Sequence, residues 1–133
     1  MVLLDTSGLL CFLHQDEAQH RTAVELISNY NGRFITHNYV LAELIALSLV
    51  RRFPRSTVLM YSLELMENPN VEMVWVDEIL HREAMDLLLV RQDKTYSLCD
   101  AISFVLMRKK GIREALTTDK HFEQEGFTRL LQS

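Results

Sequence analysis

Five short apolar runs alternate along the chain with longer segments in which apolar residues recur every three or four positions. The short runs are typical of β-strands, and the longer segments have the spacing of helices. The predicted strands cover residues 2–4, 33–36, 71–76, 115–118 and 127–131. Strands separated by helices predict parallel pairing, because a parallel connection needs a crossover segment. The predicted fold class is therefore α/β, with a small parallel sheet and helices on both faces.

The predicted helices end where proline or glycine interrupts the pattern, at Pro54, Pro69 and Gly111. They cover residues 9–13, 17–30, 39–53, 55–67, 78–90 and 96–110, with a helical turn at 120–125. The helix at 96–110 is apolar on nearly every face between residues 101 and 107, which indicates burial. Trp75 lies in the third apolar run and is expected in the core.

Composition limits the class of protein without identifying it. The 133 residues are 48% hydrophobic and 24% charged, which predicts one globular domain over residues 1–133. The apolar runs are too short to span a membrane, and Asp5 interrupts the apolar start before a signal peptide could form. We therefore expect a cytoplasmic protein with no membrane association. Two cysteines, Cys11 and Cys99, lie among apolar neighbours and are expected to be buried thiols.

The apolar helix at 96–110 carries an acidic residue, Asp100, in its first turn. No Lys or Arg lies three or four positions away, so a buried carboxylate here needs a partner from elsewhere, such as a metal ion. The alternative is structural, because Ser97 and Asp100 have the spacing of a capping box. Taken alone, Asp100 fits a capping residue better than a metal ligand.

Three other acidic residues change that balance. Asp5 and Asp119 follow predicted strands, and in open α/β sheets ligands bind at the carboxyl ends of strands where strand order reverses. If the order is 3-2-1-4-5, both acids face one crevice, although each could instead cap the helix that follows. Glu43 lies mid-helix on an apolar face without a basic partner. Together these carboxylates would suit Mg²⁺ or Mn²⁺, which can bind phosphates and activate water.

The chain resembles the PIN domain, a metal-dependent ribonuclease fold, and especially small VapC-like toxins. The matching segments are 4–7 with Asp5, 40–44 with Glu43, 96–104 with Asp100, and 116–119 with Asp119, followed by Phe122 and residues 126–127. The resemblance implies strand order 3-2-1-4-5 in a three-layer sandwich and cleavage of RNA by a metal-activated water. It makes Asp5, Glu43, Asp100 and Asp119 the catalytic and metal-binding residues.

The resemblance also implies supporting residues and partners. Thr6 or Ser7 would supply a hydroxyl to the site, and Ser97 or Thr118 would orient an acid. Some family members place a further acid or amide where this chain has His121, which leaves a second metal ion undecided. Toxin-type relatives pair with an antitoxin and form homodimers, for which the apolar segments 44–50 and 58–66 are candidate surfaces.

The net charge of −4 does not exclude an RNA substrate, because phosphate attraction needs only a local positive field. Lys94 and Lys120 flank Asp100 and Asp119 in sequence and are the candidate phosphate contacts. The basic run 108–110 is interpreted as a helix end. Two other functions stay open: a phosphatase with Asp5 as nucleophile, and a non-catalytic PIN-like binding or assembly module.

Overall fold

The five strands form one parallel sheet at the centre of the molecule. The computed structural model describes residues 1–132, so the predicted domain end at residue 133 lies outside the described residues. The strands are β1 (Val2–Leu4), β2 (Phe34–His37), β3 (Val71–Val74), β4 (Glu114–Leu116) and β5 (Thr128–Arg129). Their order is β3-β2-β1-β4-β5 and every pairing is parallel. The predicted fold class and strand order are confirmed.

Seven helices connect the strands in the described part of the chain. They are α1 (Thr6–Leu13), α2 (His20–Asn29), α3 (Asn38–Val50), α4 (Arg55–Glu67), α5 (Glu78–Val90), α6 (Leu98–Lys110) and α7 (His121–Gln124). Most predicted helices are confirmed with shifts of a few residues at their ends. The first helix differs most from its predicted range of 9–13, because α1 begins at Thr6, with Asp5 in the N-cap position.

Alternating side chains of the strands divide the core between the two faces of the sheet. Val2, Leu4 and Leu116 pack on the face covered by α1 to α4, whereas Leu3 and Ala115 pack on the face covered by α6 and α7. Helix α5 packs against α6 on that second face. The result is the predicted three-layer sandwich, with the β1 and β4 ends at its centre.

Helix α6 is buried through most of its length, as its apolar sequence indicates. Ala101, Ile102 and Phe104 have no exposed surface. The helix ends at Gly111, whose φ of 66° lies in the left-handed region that favours glycine. The basic residues of its last turn form ion pairs with acids elsewhere: Arg108 with Glu125, Lys109 with Glu83 and Lys110 with Glu72. The structural interpretation of that basic run is confirmed.

Two strand predictions need correction. Trp75 is not in the core, because its side chain is 60% exposed. The third strand ends at Val74, and the chain then leaves the sheet as the backbone N–H of Val76 donates to Asn38 Oδ1 at 2.7 Å. The fifth strand is only two residues long rather than five, and Leu130 and Leu131 continue beyond it.

Within residues 1–132, no helix has the length and hydrophobicity needed to cross a membrane.

Candidate metal centre

The candidate site lies at the carboxyl ends of β1 and β4, where the strand order reverses. Asp5 directly follows β1, and its backbone N–H donates to the carbonyl of Leu116, the last residue of β4, at 3.2 Å. Asp119 lies three residues beyond that strand. The sheet therefore delivers both predicted strand-end acids to one crevice, as expected for ligand sites in open α/β sheets.

Asp5 is the most buried of the four acids, with 4% of its surface exposed. Burial raises the pKa of its carboxyl group to about 7, and the charges of Asp100 and Glu43 contribute to the increase. A hydrogen bond from Thr117 Oγ1 to Asp5 Oδ2, 2.8 Å long, acts in the opposite direction by favouring the ionised form. The fold thus holds a carboxylate that lacks a positive partner.

Thr117 is a hydroxyl residue that orients an acid. Besides donating to Asp5, Thr117 Oγ1 accepts from the backbone N–H of Asp119 at 3.0 Å. Thr118 contributes its backbone N–H, which donates to Ser7 Oγ at 2.9 Å, and a role for its own hydroxyl in orienting an acid stays a prediction.

The predicted hydroxyls after Asp5 both lie beside it. Ser7 Oγ is 3.3 Å from Asp5 Oδ2 and 3.0 Å from Thr117 Oγ1. Thr6 is buried, and among the described residues its Oγ1 has no hydrogen-bond partner. Buried hydroxyl groups without a partner are uncommon, because desolvation then goes uncompensated.

Asp100 is both a capping residue and a member of the acidic site. Ser97 Oγ accepts from the backbone N–H of Asp100 at 3.0 Å, and Asp100 Oδ2 accepts from the backbone N–H of Ser97 at 3.1 Å, which completes the predicted capping box. Burial raises the pKa of Asp100, and the charge of Asp119 raises it further. The cap fixes the carboxylate at the start of a buried helix and does not exclude a second role.

Glu43 lies on α3 and is half-buried. Burial raises its pKa, and the charges of Asp100 and Asp119 act in the same direction, while the nearby Thr6 hydroxyl offsets part of the effect. Charge interactions link Glu43 with Asp5, Asp100 and Asp119. All four acids that the sequence singled out therefore influence one another electrostatically, while the tight cluster of possible ligand atoms in the described residues contains Asp100 and Asp119.

One residue of the cluster was not among the predicted ligands. His121 Nδ1 lies 3.0 Å from Asp100 Oδ2 and 3.3 Å from Asp119 Oδ1. Possible ligand atoms of Asp100, Asp119 and His121 all lie within 4.8 Å of one another. The position of His121, two residues after Asp119, was the sequence signal for a further ligand. It was not used as one because no second histidine lies at a metal-binding spacing from it.

These donors fit a divalent metal ion. Burial and neighbouring negative charge raise the pKa of Asp5, Glu43 and Asp100. Among residues 1–132, no Lys or Arg forms an ion pair with these acids or with Asp119, so added positive charge would stabilise the site. The buried hydroxyl of Thr6, which lies near Glu43, is a further oxygen donor in the same region. Oxygen ligands of this kind suit Mg²⁺ and Mn²⁺.

The two candidate phosphate contacts stay predictions. Lys120 is exposed at the start of α7, next to Asp119 in the chain. Lys94 lies in the connection before α6, where its Nζ is 3.6 Å from Asp93 Oδ2.

We predict that Asp5→Asn makes the metal-free protein more stable. An amide oxygen can still accept the Thr117 hydrogen bond, while the cost of a buried negative charge is removed. In buffer with a chelator at pH 8, the unfolding temperature should rise by several degrees. The same variant should lose most of the stabilisation that Mg²⁺ or Mn²⁺ gives the unmodified protein. An unfolding temperature below that of the unmodified protein in chelator would contradict this prediction.

An open parallel sheet with acidic residues gathered at its switch point suits a protein that binds a divalent metal ion and acts on phosphate groups. Comparison with known families is more specific, because the PIN domain family model matches residues 2–127. The chain belongs to the PIN domain family, and the predicted family and nuclease class are confirmed.

Individual relatives agree with that assignment. The chain is 34% identical over 127 residues to the 23S rRNA-specific endonuclease VapC20 of Mycobacterium tuberculosis, covering 96% of this chain and 95% of the relative. The crystal structure of Mycobacterium tuberculosis VapC20, described as a Sarcin-Ricin loop cleaving toxin, superposes with a TM-score of 0.88 at 29% identity, over 96% of this chain and 97% of that one. A toxin-antitoxin complex from Klebsiella pneumoniae shares the fold, with a TM-score of 0.61 at 14% identity over 90% and 88% of the two chains.

Proposed function

We propose that the protein is a metal-dependent endoribonuclease, the toxin of a toxin-antitoxin pair. One observation carries the proposal: Asp5, Glu43, Asp100 and Asp119 interact electrostatically at the carboxyl ends of β1 and β4, with His121 beside two of them and no Lys or Arg paired to any within residues 1–132. The similarity to an rRNA endonuclease over nearly the whole chain supports it.

In this proposal the four acids hold Mg²⁺ or Mn²⁺ and position it against the scissile phosphate. A bound ion of this kind would supply positive charge to the phosphodiester and make a water molecule more acidic. Thr117 holds the Asp5 carboxylate in place, and the Ser97 cap holds that of Asp100. Lys94 and Lys120 would contact phosphates on either side of the cleaved bond.

The proposed substrate is structured RNA of the kind that the relative cleaves. The test is incubation of the purified protein with an RNA hairpin that carries the sarcin–ricin loop sequence, with Mg²⁺, with Mn²⁺ or with a chelator. The matched control is a hairpin of the same stem with a scrambled loop. We expect metal-dependent cleavage at one position of the loop, mapped by sequencing the new RNA ends.

The alternatives give different results in that test. A non-catalytic binding module would bind the hairpin and leave it intact with either ion. The phosphatase alternative is disfavoured by geometry, because Asp5 is almost fully buried and its Oδ2 lies within hydrogen-bond distance of Thr117 and Ser7 hydroxyls. Trapping a phosphorylated Asp5 would nevertheless overturn the nuclease proposal.

We propose that an antitoxin docks on the groove beside α4. Its floor is apolar, with Leu13, Met60 and Leu63, and its rim carries Glu64 and Glu67. An amphipathic segment with basic residues complements both features. Of the two predicted surface segments, 58–66 therefore contributes exposed apolar side chains to this groove, while Val58 and Leu65 face the core.

We predict that Leu63→Glu weakens antitoxin binding at least tenfold without altering RNA cleavage. Leu63 is 53% exposed, so the change places a charge on the groove floor at little cost in stability. Binding should be measured by calorimetry with an antitoxin, to be identified by searching beside this gene for a small DNA-binding protein. Lys110→Ala, on the opposite side of the sheet, is the control. An unchanged affinity in Leu63→Glu would move the docking site elsewhere.

We further propose that the protein acts in the cytoplasm as a homodimer. The exposed face of α5 carries Ile79, Leu89 and Val90, and Trp75 precedes the helix. Oppositely charged residues, Glu78 and Arg82, occur on the same helix and form an ion pair. A face with both charge signs and apolar residues can pair with itself about a two-fold axis. Light scattering should give twice the chain mass, and one chain mass would contradict the dimer.

A further inference from the structure

His121 contacts the acidic cluster in a way that a surface histidine would not. Its Nδ1 approaches carboxylate oxygens of both Asp100 and Asp119, and its backbone N–H donates to Asp119 Oδ1 at 2.9 Å. The side chain is only 23% exposed, and the ring lies edge-on to Tyr96 with centroids 5.1 Å apart. The imidazole therefore has a fixed position with one nitrogen inside the crevice.

The other ring nitrogen has its own partner outside the crevice. His121 Nε2 lies 3.1 Å from Thr95 Oγ1. Metal-binding histidines generally donate their second N–H to an oxygen, which fixes the ring and leaves the first nitrogen's lone pair for the ion. In the tautomer that carries its hydrogen on Nε2, that N–H donates to Thr95 Oγ1 and Nδ1 is left with a lone pair for an ion between Asp100 and Asp119.

A purely structural role explains the arrangement less well. One hydrogen on Nδ1 can form a linear hydrogen bond with only one of the two carboxylates that approach it. Two carboxylate oxygens and a ring nitrogen within 4.8 Å of one another can instead share a cation. Thr95 then has a role as well, because its hydroxyl sets the ring orientation.

We propose that His121 Nδ1 is a direct ligand of the divalent ion and that Thr95 positions it, so the site prefers Mn²⁺ to Mg²⁺. The inference rests on the proposed function, because it concerns the same ion. Its chemical reason is ligand preference: Mg²⁺ favours oxygen ligands only, whereas Mn²⁺ binds more strongly than Mg²⁺ to sites that include imidazole. A nitrogen among the carboxylates therefore alters ion selectivity.

The other four histidines provide internal controls. His37 is buried and forms a hydrogen bond with Ser103. His81 forms one with Tyr39, and His20 forms one with the Cys11 carbonyl. His14 stacks on Phe53. None of these histidines contacts Asp5, Glu43, Asp100 or Asp119 within the described chain, so a histidine nitrogen detected at the ion would belong to His121.

The test is pulsed electron paramagnetic resonance of the Mn²⁺-loaded protein, together with calorimetric affinities for Mn²⁺ and Mg²⁺. We expect nitrogen modulation of the Mn²⁺ signal in the unmodified protein and in His81→Asn, and its loss in His121→Asn. The Mn²⁺ affinity of His121→Asn should fall at least about tenfold while the Mg²⁺ affinity changes much less. Thr95→Val should weaken Mn²⁺ binding and retain the nitrogen signal.

Three results would overturn the inference. They are a Mn²⁺ signal without nitrogen modulation in the unmodified protein, a nitrogen signal that persists in His121→Asn, and an unchanged ratio of Mn²⁺ to Mg²⁺ affinities in that variant. Each leaves the nuclease proposal standing if RNA is still cleaved in a metal-dependent way. A protein that binds neither ion would contradict both proposals, and circular dichroism of each variant verifies that it is folded.

Discussion

Asp100→Asn is expected to reduce RNA cleavage on the order of a thousandfold or more while leaving the protein folded. Asparagine can keep the capping box, because its side-chain oxygen can accept from the Ser97 backbone N–H as the carboxylate does. What it removes is a negative charge beside Asp119 and His121. Single-turnover cleavage of the loop hairpin measures the effect, and thermal unfolding verifies the fold.

Two further variants separate the capping role of this residue from its metal role. Ser97→Ala removes the cap, and should lower stability by about 1 kcal/mol with a much smaller loss of activity. Asp86→Asn changes an exposed acid on α5 and should alter neither property. If Asp100→Asn retained more than a tenth of the cleavage rate, Asp100 would be a capping residue only.

Gly8→Ala is expected to destabilise the protein by about 3 kcal/mol or more. A Cβ atom at Gly8 would lie 2.0 Å from the backbone carbonyl oxygen of Leu116 and 2.6 Å from its carbon. Backbone atoms cannot rotate away as a side chain can, so α1 and β4 would have to separate. Urea unfolding measures the loss, and cleavage activity should fall because Asp5 and Ser7 lie at the start of the displaced helix.

Gly111→Ala is the matched control for that substitution. Nothing lies within 4 Å of its added Cβ, so the only cost is the left-handed conformation, with φ of 66°. That cost is about 1 kcal/mol. If Gly8→Ala were as stable as Gly111→Ala, α1 would have to lie farther from the Leu116 carbonyl than the 2.0 Å approach of an added Cβ implies.

The parallel topology could be predicted because it follows from a local sequence pattern that repeats along the chain. Short apolar strands alternating with helices leave parallel pairing as the simplest arrangement, and the family resemblance supplied the strand order. Trp75 was mispredicted because an apolar run does not show where an edge strand ends. The Asn38 side chain that draws Val76 away is remote in sequence.

The four acids could be predicted because Asp5 and Asp119 follow strands, whereas Glu43 and Asp100 lie on apolar helices without a basic partner. Their helpers could not, since Thr117 and Thr118 are equivalent in sequence and only the direction of the chain after β4 distinguishes them. His121 was missed as a ligand for a similar reason. Its partners Asp100 and Thr95 lie 21 and 26 positions earlier, and no sequence spacing reports that contact.

The hydrogen bond between Thr117 and Asp5 joins residues 112 positions apart. During synthesis the segment carrying Asp5 leaves the ribosome well before the segment carrying Thr117, Asp119 and His121. The acidic cluster therefore cannot assemble on a partly made chain, because the fourth strand must pair with the first. For an enzyme proposed to cut ribosomal RNA, this means that a nascent chain has no complete acidic site until the segment with Thr117 and Asp119 has also left the ribosome.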